Sequence, residues 1–177
     1  MYLLNNLNKE SNEVLYSNEL ITRVDGEGIG YIKKLSAEND RKKIRLCTHN
    51  NKNESIHEMF IVHEYGAYVR PHKHPGKIES THIIEGVVDV VIFDDNGNIT
   101  DVIKMGDYAS GNIFYYRIAA PIYHTLIIKS DILVFHETIN GPFNSHDTVF
   151  PLWAPVGNND QVVSDYMNEL AQKIKFK

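Results

Sequence analysis

The sequence predicts a mainly all-β domain, an antiparallel sandwich or barrel of the jelly-roll kind. Three observations predict it. Short apolar or alternating runs follow one another at close intervals, with turn residues between them and little helix. Residues 87–93, VVDVVIF, form a run rich in β-branched side chains, as in a buried strand. The next five residues, DDNGN, put Asn96-Gly97 at the centre of a hairpin turn. A jelly roll answers this pattern because its closure protects the sheet edges.

In chain order, residues 1–20 are rich in Asn and Glu and read as a lead-in with room for a short strand. Gly26, Gly28 and Gly30 form GEGIG, which looks like a phosphate-binding loop but lacks the preceding apolar strand that such a loop requires. Ile29, Ile32, Lys33 and Leu35 instead predict a short helix ending near Asn39-Asp40. Residues 41–47, RKKIRLC, read as a solvated edge, or as a pocket rim if Arg45 and His49 act there. A polar loop at 50–55 precedes a strand at 57–65, where His63 reads as a surface or packed side chain because nothing pairs with it at ligand spacing. Further strands are expected at 99–105 and 113–118. Residues 125–129 and 132–138 are expected to form a hairpin around Ser130-Asp131. Residues 140–144 form a loop, and the lone Trp153 packs on the barrel from another. Val162, Val163, Tyr166, Met167, Leu170 and Ile174 share one face of a C-terminal helix, with Ser164-Asp165 in its first turn. The expected organisation is one domain: a lead-in and helix over 1–40, a barrel over 41–157 and a packed helix over 158–177.

A chain of 177 residues with net charge −5 has no basic footprint for nucleic acid or an anionic membrane. The single cysteine, Cys47, fits a reducing compartment. No apolar run approaches the ~18–20 residues that span a bilayer. The N-terminus lacks a cationic start followed by an apolar core, so a cytoplasmic protein is expected.

The chemistry concentrates in residues 66–86, GAYVRPHKHPGKIESTHIIEG. His72 and His74 are two apart, which on a strand sets both imidazoles on one face. Pro75-Gly76 breaks the strand, and Glu79 opens the next apolar run, positioned to return its carboxylate to the same point. A divalent first-row metal accepts this mixture of imidazole nitrogen and carboxylate oxygen. His82 lies three residues beyond Glu79 and is expected on the opposite face. His124 shares a face with Leu126 and Ile128, so it is expected to point into the barrel.

Gly66, His72, His74, Glu79 and Gly86 stand at the offsets of the first cupin motif, and the stretch resembles it at every fixed position. The resemblance implies a cupin double-stranded β-helix and a fourth ligand, a histidine from a second motif, where His124 stands. Beyond that motif, the string RPHKH, K-x-E, FDDxG, H-T, Glu137, Gly141-Pro142 and Trp153-Ala154-Pro155 resembles the WbuC-type cupins, found with O-antigen and other surface-polysaccharide gene sets. The resemblance runs from about Ile29 to the C-terminal helix. Pro121 stands where the second motif usually has Gly, and Ile139 where this family tends to have Lys.

The resemblance implies one metal, Fe, Mn, Ni, Co or Zn, held by His72, His74, Glu79 and His124. Open coordination positions would remain for water or a substrate. Glu137, Tyr123 and Lys77 are the expected catalytic residues. Tyr68, Arg70, Arg45 and His49 are the expected contacts to a small polar or anionic substrate, a sugar derivative. Three functions answer to this: an isomerase- or epimerase-like enzyme on a sugar or nucleotide-sugar intermediate, an Fe(II) dioxygenase, or a non-catalytic sugar-binding module. Cupin barrels often pair through edge strands, which implies a homodimer.

Overall fold

A computed structural model describes residues 6–157 and 159–175. In order, the elements are β1 (Leu7–Lys9), β2 (Val14–Ser17), α1 (Gly26–Ala37), β3 (Lys43–Cys47), β4 (Ile56–Glu64), β5 (Glu79–Glu85), β6 (Val87–Phe93), β7 (Ile99–Gly106), β8 (Tyr115–Ile118), β9 (Tyr123–Ile128), β10 (Ile132–Asn140) and α2 (Asp160–Ile174). Ten strands make two sheets among the described residues. The larger has the order β1-β2-β3-β4-β10-β5-β8 and the smaller β7-β6-β9. The pairs are antiparallel except β2 with β3.

The two-residue period of the strands decides what lies between the sheets. Met59, Ile61, Ile83 and Phe135 of the larger sheet meet Val88, Val90, Met105, Leu126 and Ile128 of the smaller. The opposite faces are covered by the helices. Ile32 of α1 packs on Ile44, Leu46, Val62 and Val134. Leu170 and Ile174 of α2 pack on Val91, Phe93 and Ile127. The result is the all-β jelly roll with an N-terminal and a C-terminal helix that the strand pattern predicts.

The expected short helix is α1, and the glycines of GEGIG lie inside it rather than in a phosphate loop; its N-cap Asp25 accepts a hydrogen bond from the Gly28 N–H at 2.9 Å. Three local expectations change. Residues 43–47 are not a solvated edge. They form a strand between β2 and β4, with Arg45 directly opposite Ile61 on the face that lines the barrel. The C-terminal helix starts a turn earlier than Ser164, capped by the Asn159 side chain, which accepts from the Gln161 and Val162 N–H groups. The strands flanking Ser130-Asp131 form no hairpin, because β9 pairs with β6 and β10 with β4 and β5. Ser130 instead ties the crossing between sheets to β6, its Oγ accepting from the Val87 N–H at 3.0 Å.

Gly86 makes the equivalent crossing from β5 to β6 at φ +93°, and a Cβ there would lie 2.3 Å from the Ile132 carbonyl oxygen. Backbone cannot yield to that contact, and the left-handed conformation adds strain. Gly86→Ala is therefore expected to destabilise the fold by about 3 kcal/mol, read as the shift in a urea-unfolding midpoint. A loss below about 1 kcal/mol would contradict this role.

Candidate metal centre

Three separate pieces of backbone bring the chemistry together. His72 is not in a continuous strand. It forms an isolated antiparallel bridge with His124, the N–H of each donating to the carbonyl of the other at 3.1 and 3.0 Å. Lys73 bridges Val149 in the same way. Gly76, at φ +75°, turns the chain into β5, which opens on Glu79. His124 sits on the barrel-lining face of β9, level with Leu126 and Ile128 of the core.

The side chains converge. Ring centroids lie 4.5 Å apart for His72 and His124, 4.9 Å for His72 and His74, and 6.3 Å for His74 and His124. Glu79 Oε1 is 3.0 Å from His124 Nε2, and Glu79 Oε2 is 3.5 Å from His74 Nε2. The other ring nitrogens are all spoken for by backbone. Nδ1 of His72 donates to the Arg70 carbonyl (2.8 Å), that of His74 to the Asp147 carbonyl (3.1 Å) and that of His124 to the Ile122 carbonyl (3.1 Å). A carbonyl only accepts, so each Nδ1 carries a proton, and in the neutral ring the Nε2 lone pair is free to ligate. Histidines that bind metals are oriented this way.

Charge makes the same demand. Burial pushes His72 down to about 3, helped by its neighbours His124 and His74. Burial also lowers His74, against the pull of Glu79. Burial opposes charge on His124 and Glu79 too, but their mutual hydrogen bond wins, raising the imidazole and lowering the carboxyl. Three imidazoles and a carboxylate in an apolar barrel cost several kcal/mol unless something pairs with them. Among the described residues the side chains do not stand as a ready coordination shell, since Glu79 bonds His124 directly. The spacing nevertheless fits one. Neighbouring ligands at bonds of about 2.1 Å lie about 3.0 Å apart in an octahedron and about 3.4 Å in a tetrahedron. The donor set therefore suits a divalent first-row metal.

A polar wall continues from this group. Glu137 of β10 stands opposite Met59 and Thr81, and Tyr116 of β8 stands opposite Thr81. Glu137 is half-buried as a residue, and burial of its carboxyl dominates its charge state, pushing the group up to about 7, with the Glu79 charge adding and Arg45 and His124 opposing. Burial and the Glu79 charge also push the Tyr116 phenol up, against its hydrogen bond to Thr81. Arg45 lies on the same lining face two strands from Glu137. Thr81 and Tyr116 are additions to the expected set. The two-residue period from Glu79 marks Thr81, but only the β5–β8 register finds Tyr116.

Several expected site residues are engaged elsewhere. Tyr123 lies on the opposite face of β9 from His124, between Phe93 and Trp153 and under the Lys73 ammonium at 4.3 Å. Alternation along a strand puts it outside the barrel. The Lys77 ammonium donates to the carbonyls of Asn140 (2.7 Å) and Pro142 (2.8 Å) and pairs with Asp147 (3.1 Å). The Tyr68 hydroxyl donates to the Pro155 carbonyl at 2.9 Å. Arg70 donates to the carbonyls of Pro151 and Ala154 and stacks on Phe150 at 4.8 Å. His49 is buried, its Nδ1 accepting from the Glu58 N–H while its ring stacks on His57 at 4.1 Å. His82 faces out against Phe114, and His63 is buried opposite Leu133 and Lys43. A cleft of 250 Å³ between α2 and the β6–β7 turn, lined by Phe93, Trp153 and Tyr166 among others, carries no imidazole and lies apart from this group.

Residues 24–105 match the family model DUF6016, a domain of unknown function. No curated protein sequence matches the chain. Among solved structures, the capsular polysaccharide assembling protein CapF from Staphylococcus aureus superposes with a TM-score of 0.50 at 16% identity, covering 64% of this chain and 32% of CapF. Oxalate decarboxylase from Bacillus subtilis, a protein with Mn(II) centres, gives 0.44 at 20% identity, covering 55% of this chain and 24% of its own. A protein described as a sugar phosphate isomerase, from Acidithiobacillus ferrooxidans, gives 0.40 at 12% identity over 50% of this chain and 51% of its own. The chain thus spans about a quarter of the oxalate decarboxylase and a third of CapF. At these identities the likeness is one of fold, the cupin jelly roll. Among the described residues no helix is long and apolar enough to cross a membrane.

Proposed function

We propose that this cupin-fold chain is a metal-dependent enzyme that moves a proton on a small polar or anionic sugar derivative, as an isomerase or epimerase does. One observation carries the reading: the Glu137 carboxyl, raised to about 7, lies within electrostatic reach of a convergent set of three imidazoles and a carboxylate. His72, His74, His124 and Glu79 would hold one divalent first-row metal. When bound, it supplies Lewis acidity toward a carbonyl or enediolate oxygen. The rest falls to the chain. A carboxyl titrating near neutrality takes a proton from the carbon beside a carbonyl and returns it to the neighbouring carbon for isomerisation, the hydroxyl proton passing to the former carbonyl oxygen, or to the same carbon for epimerisation once the enediolate has turned its other face to the acid. Arg45 offers an anionic substrate group a guanidinium on the same wall.

The WbuC-type string in the sequence supports a sugar or nucleotide-sugar intermediate as substrate and surface-polysaccharide biosynthesis as the setting; the N-terminal sequence supports a cytoplasmic protein, and the pairing common among cupin barrels a homodimer. CapF's description as a capsular polysaccharide assembling protein guides the choice of probes. One observation favours binding without turnover: Lys77 and Tyr123, expected to be catalytic, serve the scaffold instead.

The test follows solvent deuterium entering C–H positions of hexose phosphates and nucleotide-linked hexoses by NMR. Glu137→Gln is expected to lower exchange by about 10²–10⁴-fold while Mn²⁺ affinity stays within a few-fold of the parent. Exchange that survives the substitution would remove Glu137 from the proton transfer. Saturable binding with no exchange in the parent would establish the binding module.

A further inference from the structure

Lys77 lies between two of the proposed ligands in sequence, and its side chain is largely buried, with 10% exposed. A buried ammonium has three protons to place. Here each has an acceptor: the Asn140 carbonyl at 2.7 Å, the Pro142 carbonyl at 2.8 Å and the Asp147 carboxylate at 3.1 Å. All three acceptors belong to residues 140–147, the segment that leaves β10 and passes over the end of the barrel. The same segment is held from its other side by residues 52–55. The Gly141 N–H donates to the Ser55 carbonyl (3.0 Å) and the Phe143 N–H to the Lys52 carbonyl (2.7 Å). Gly141 also packs too closely on the Glu54 carbonyl and His57 to admit a side chain, a Cβ lying 1.9 Å from that oxygen.

What the segment carries to the centre is a single acceptor. The Asp147 carbonyl receives the Nδ1–H of His74, with Thr148 Oγ1 at 3.3 Å from the same nitrogen. His72 and His124 are treated differently. Each bonds a carbonyl two residues before it in its own strand segment, so its Nδ1 acceptor is local backbone, although His124 also bonds Glu79 through Nε2 at 3.0 Å. His74 depends on an acceptor more than seventy residues away in sequence, and Lys77 is the cation that holds that acceptor's residue by its carboxylate.

We infer that Lys77 is a positioning residue for His74. By latching residues 140–147 it fixes the Asp147 carbonyl, and so keeps the His74 proton on Nδ1 and its Nε2 lone pair turned toward Glu79. The metal-affinity arm of the test rests on the metal reading above; the tautomer arm does not. Without the latch the Lys73–Val149 bridge is left to hold the chain two residues beyond Asp147, the Asp147 carbonyl gains freedom, and Thr148 Oγ1, which both donates and accepts, does not dictate which nitrogen is protonated. Losing a partner of this kind costs about 10–100-fold in metal affinity.

The experiment records imidazole ¹⁵N spectra of the metal-free protein at pH 8, with His74 assigned by its loss in His74→Gln, and titrates Mn²⁺ into each variant. The parent is expected to show His74 as the Nδ1–H tautomer. Lys77→Met should give a mixture of tautomers and a 10–100-fold weaker Mn²⁺ affinity, while the His72 and His124 signals stay put. Asp147→Asn, which keeps the carbonyl but drops the charge, should move both readouts in the same direction by less, and serves if Lys77→Met does not fold. Lys77→Arg restores charge and donors and should recover most of the Nδ1–H signal. A His74 signal and Mn²⁺ affinity in Lys77→Met and Asp147→Asn that match the parent would overturn the inference. If the parent takes up no Mn²⁺ the metal reading fails, and the tautomer spectra still decide whether Lys77 orients His74.

Discussion

Glu79→Gln is expected to lower Mn²⁺ affinity by at least about 100-fold, beyond the 10–100-fold typical of removing a group behind a ligand. Glu79 is the one anionic donor among the four, and it is buried. The amide keeps the shape and an acceptor for His124 but supplies no charge to a divalent ion in a low-dielectric site. A ligand that binds only the folded state stabilises it by about 2.7 kcal/mol at a hundred times its Kd. Mn²⁺ at that excess should therefore raise the urea-unfolding midpoint of the parent and leave that of Glu79→Gln almost unmoved. Equal shifts in both proteins would mean that Mn²⁺ binds elsewhere.

The second large effect concerns His63, remote from the histidine cluster. Its ring is buried, Nδ1 has no hydrogen-bond partner, and burial, with Lys43 and Arg45 adding, pushes it from 6.5 down to about 3. The folded state thus prefers the neutral ring, whereas the unfolded chain protonates at its ordinary value. Stability from this group is fully present above 6.5 and is lost as pH falls toward 3. At pH 4 the loss from His63 alone is about 3 kcal/mol. His63→Leu should accordingly lose about 3 kcal/mol less than the parent between pH 7 and pH 4 in urea unfolding, because the contributions of the other histidines cancel in the comparison. Identical losses would show that His63 is solvated or paired when protonated.

Local sequence carried the strands and the ligand spacing because both are short-range facts. Alternation in VVDVVIF and its neighbours follows from the two-residue period, and His72, His74 and Glu79 are separated by a single turn. Long-range pairing is what local sequence does not carry. Residues 129–131 look like a hairpin loop, but whether β9 meets β10 depends on β4, some seventy residues earlier, which claims β10 for the other sheet. Lys77, Arg70 and Tyr68 look like free polar groups at a pocket because the carbonyls that engage them lie in residues 140–155, where nothing local marks an acceptor. Tyr123 shows the opposite case, since the alternation that sends His124 inward sends its neighbour out. Thr81 was legible from that same period and Tyr116 was not, since its position depends on how β8 registers against β5.

The central claim is that His72, His74, His124 and Glu79 hold a metal ion. Anomalous diffraction from crystals grown with Mn²⁺ tests it most directly. One strong peak is expected about 2.0–2.3 Å from the Nε2 atoms of the three histidines and from a Glu79 oxygen, with the Nδ1 bonds to Arg70, Asp147 and Ile122 kept. A map with no peak there, and with Glu79 still bonded directly to His124, would contradict it.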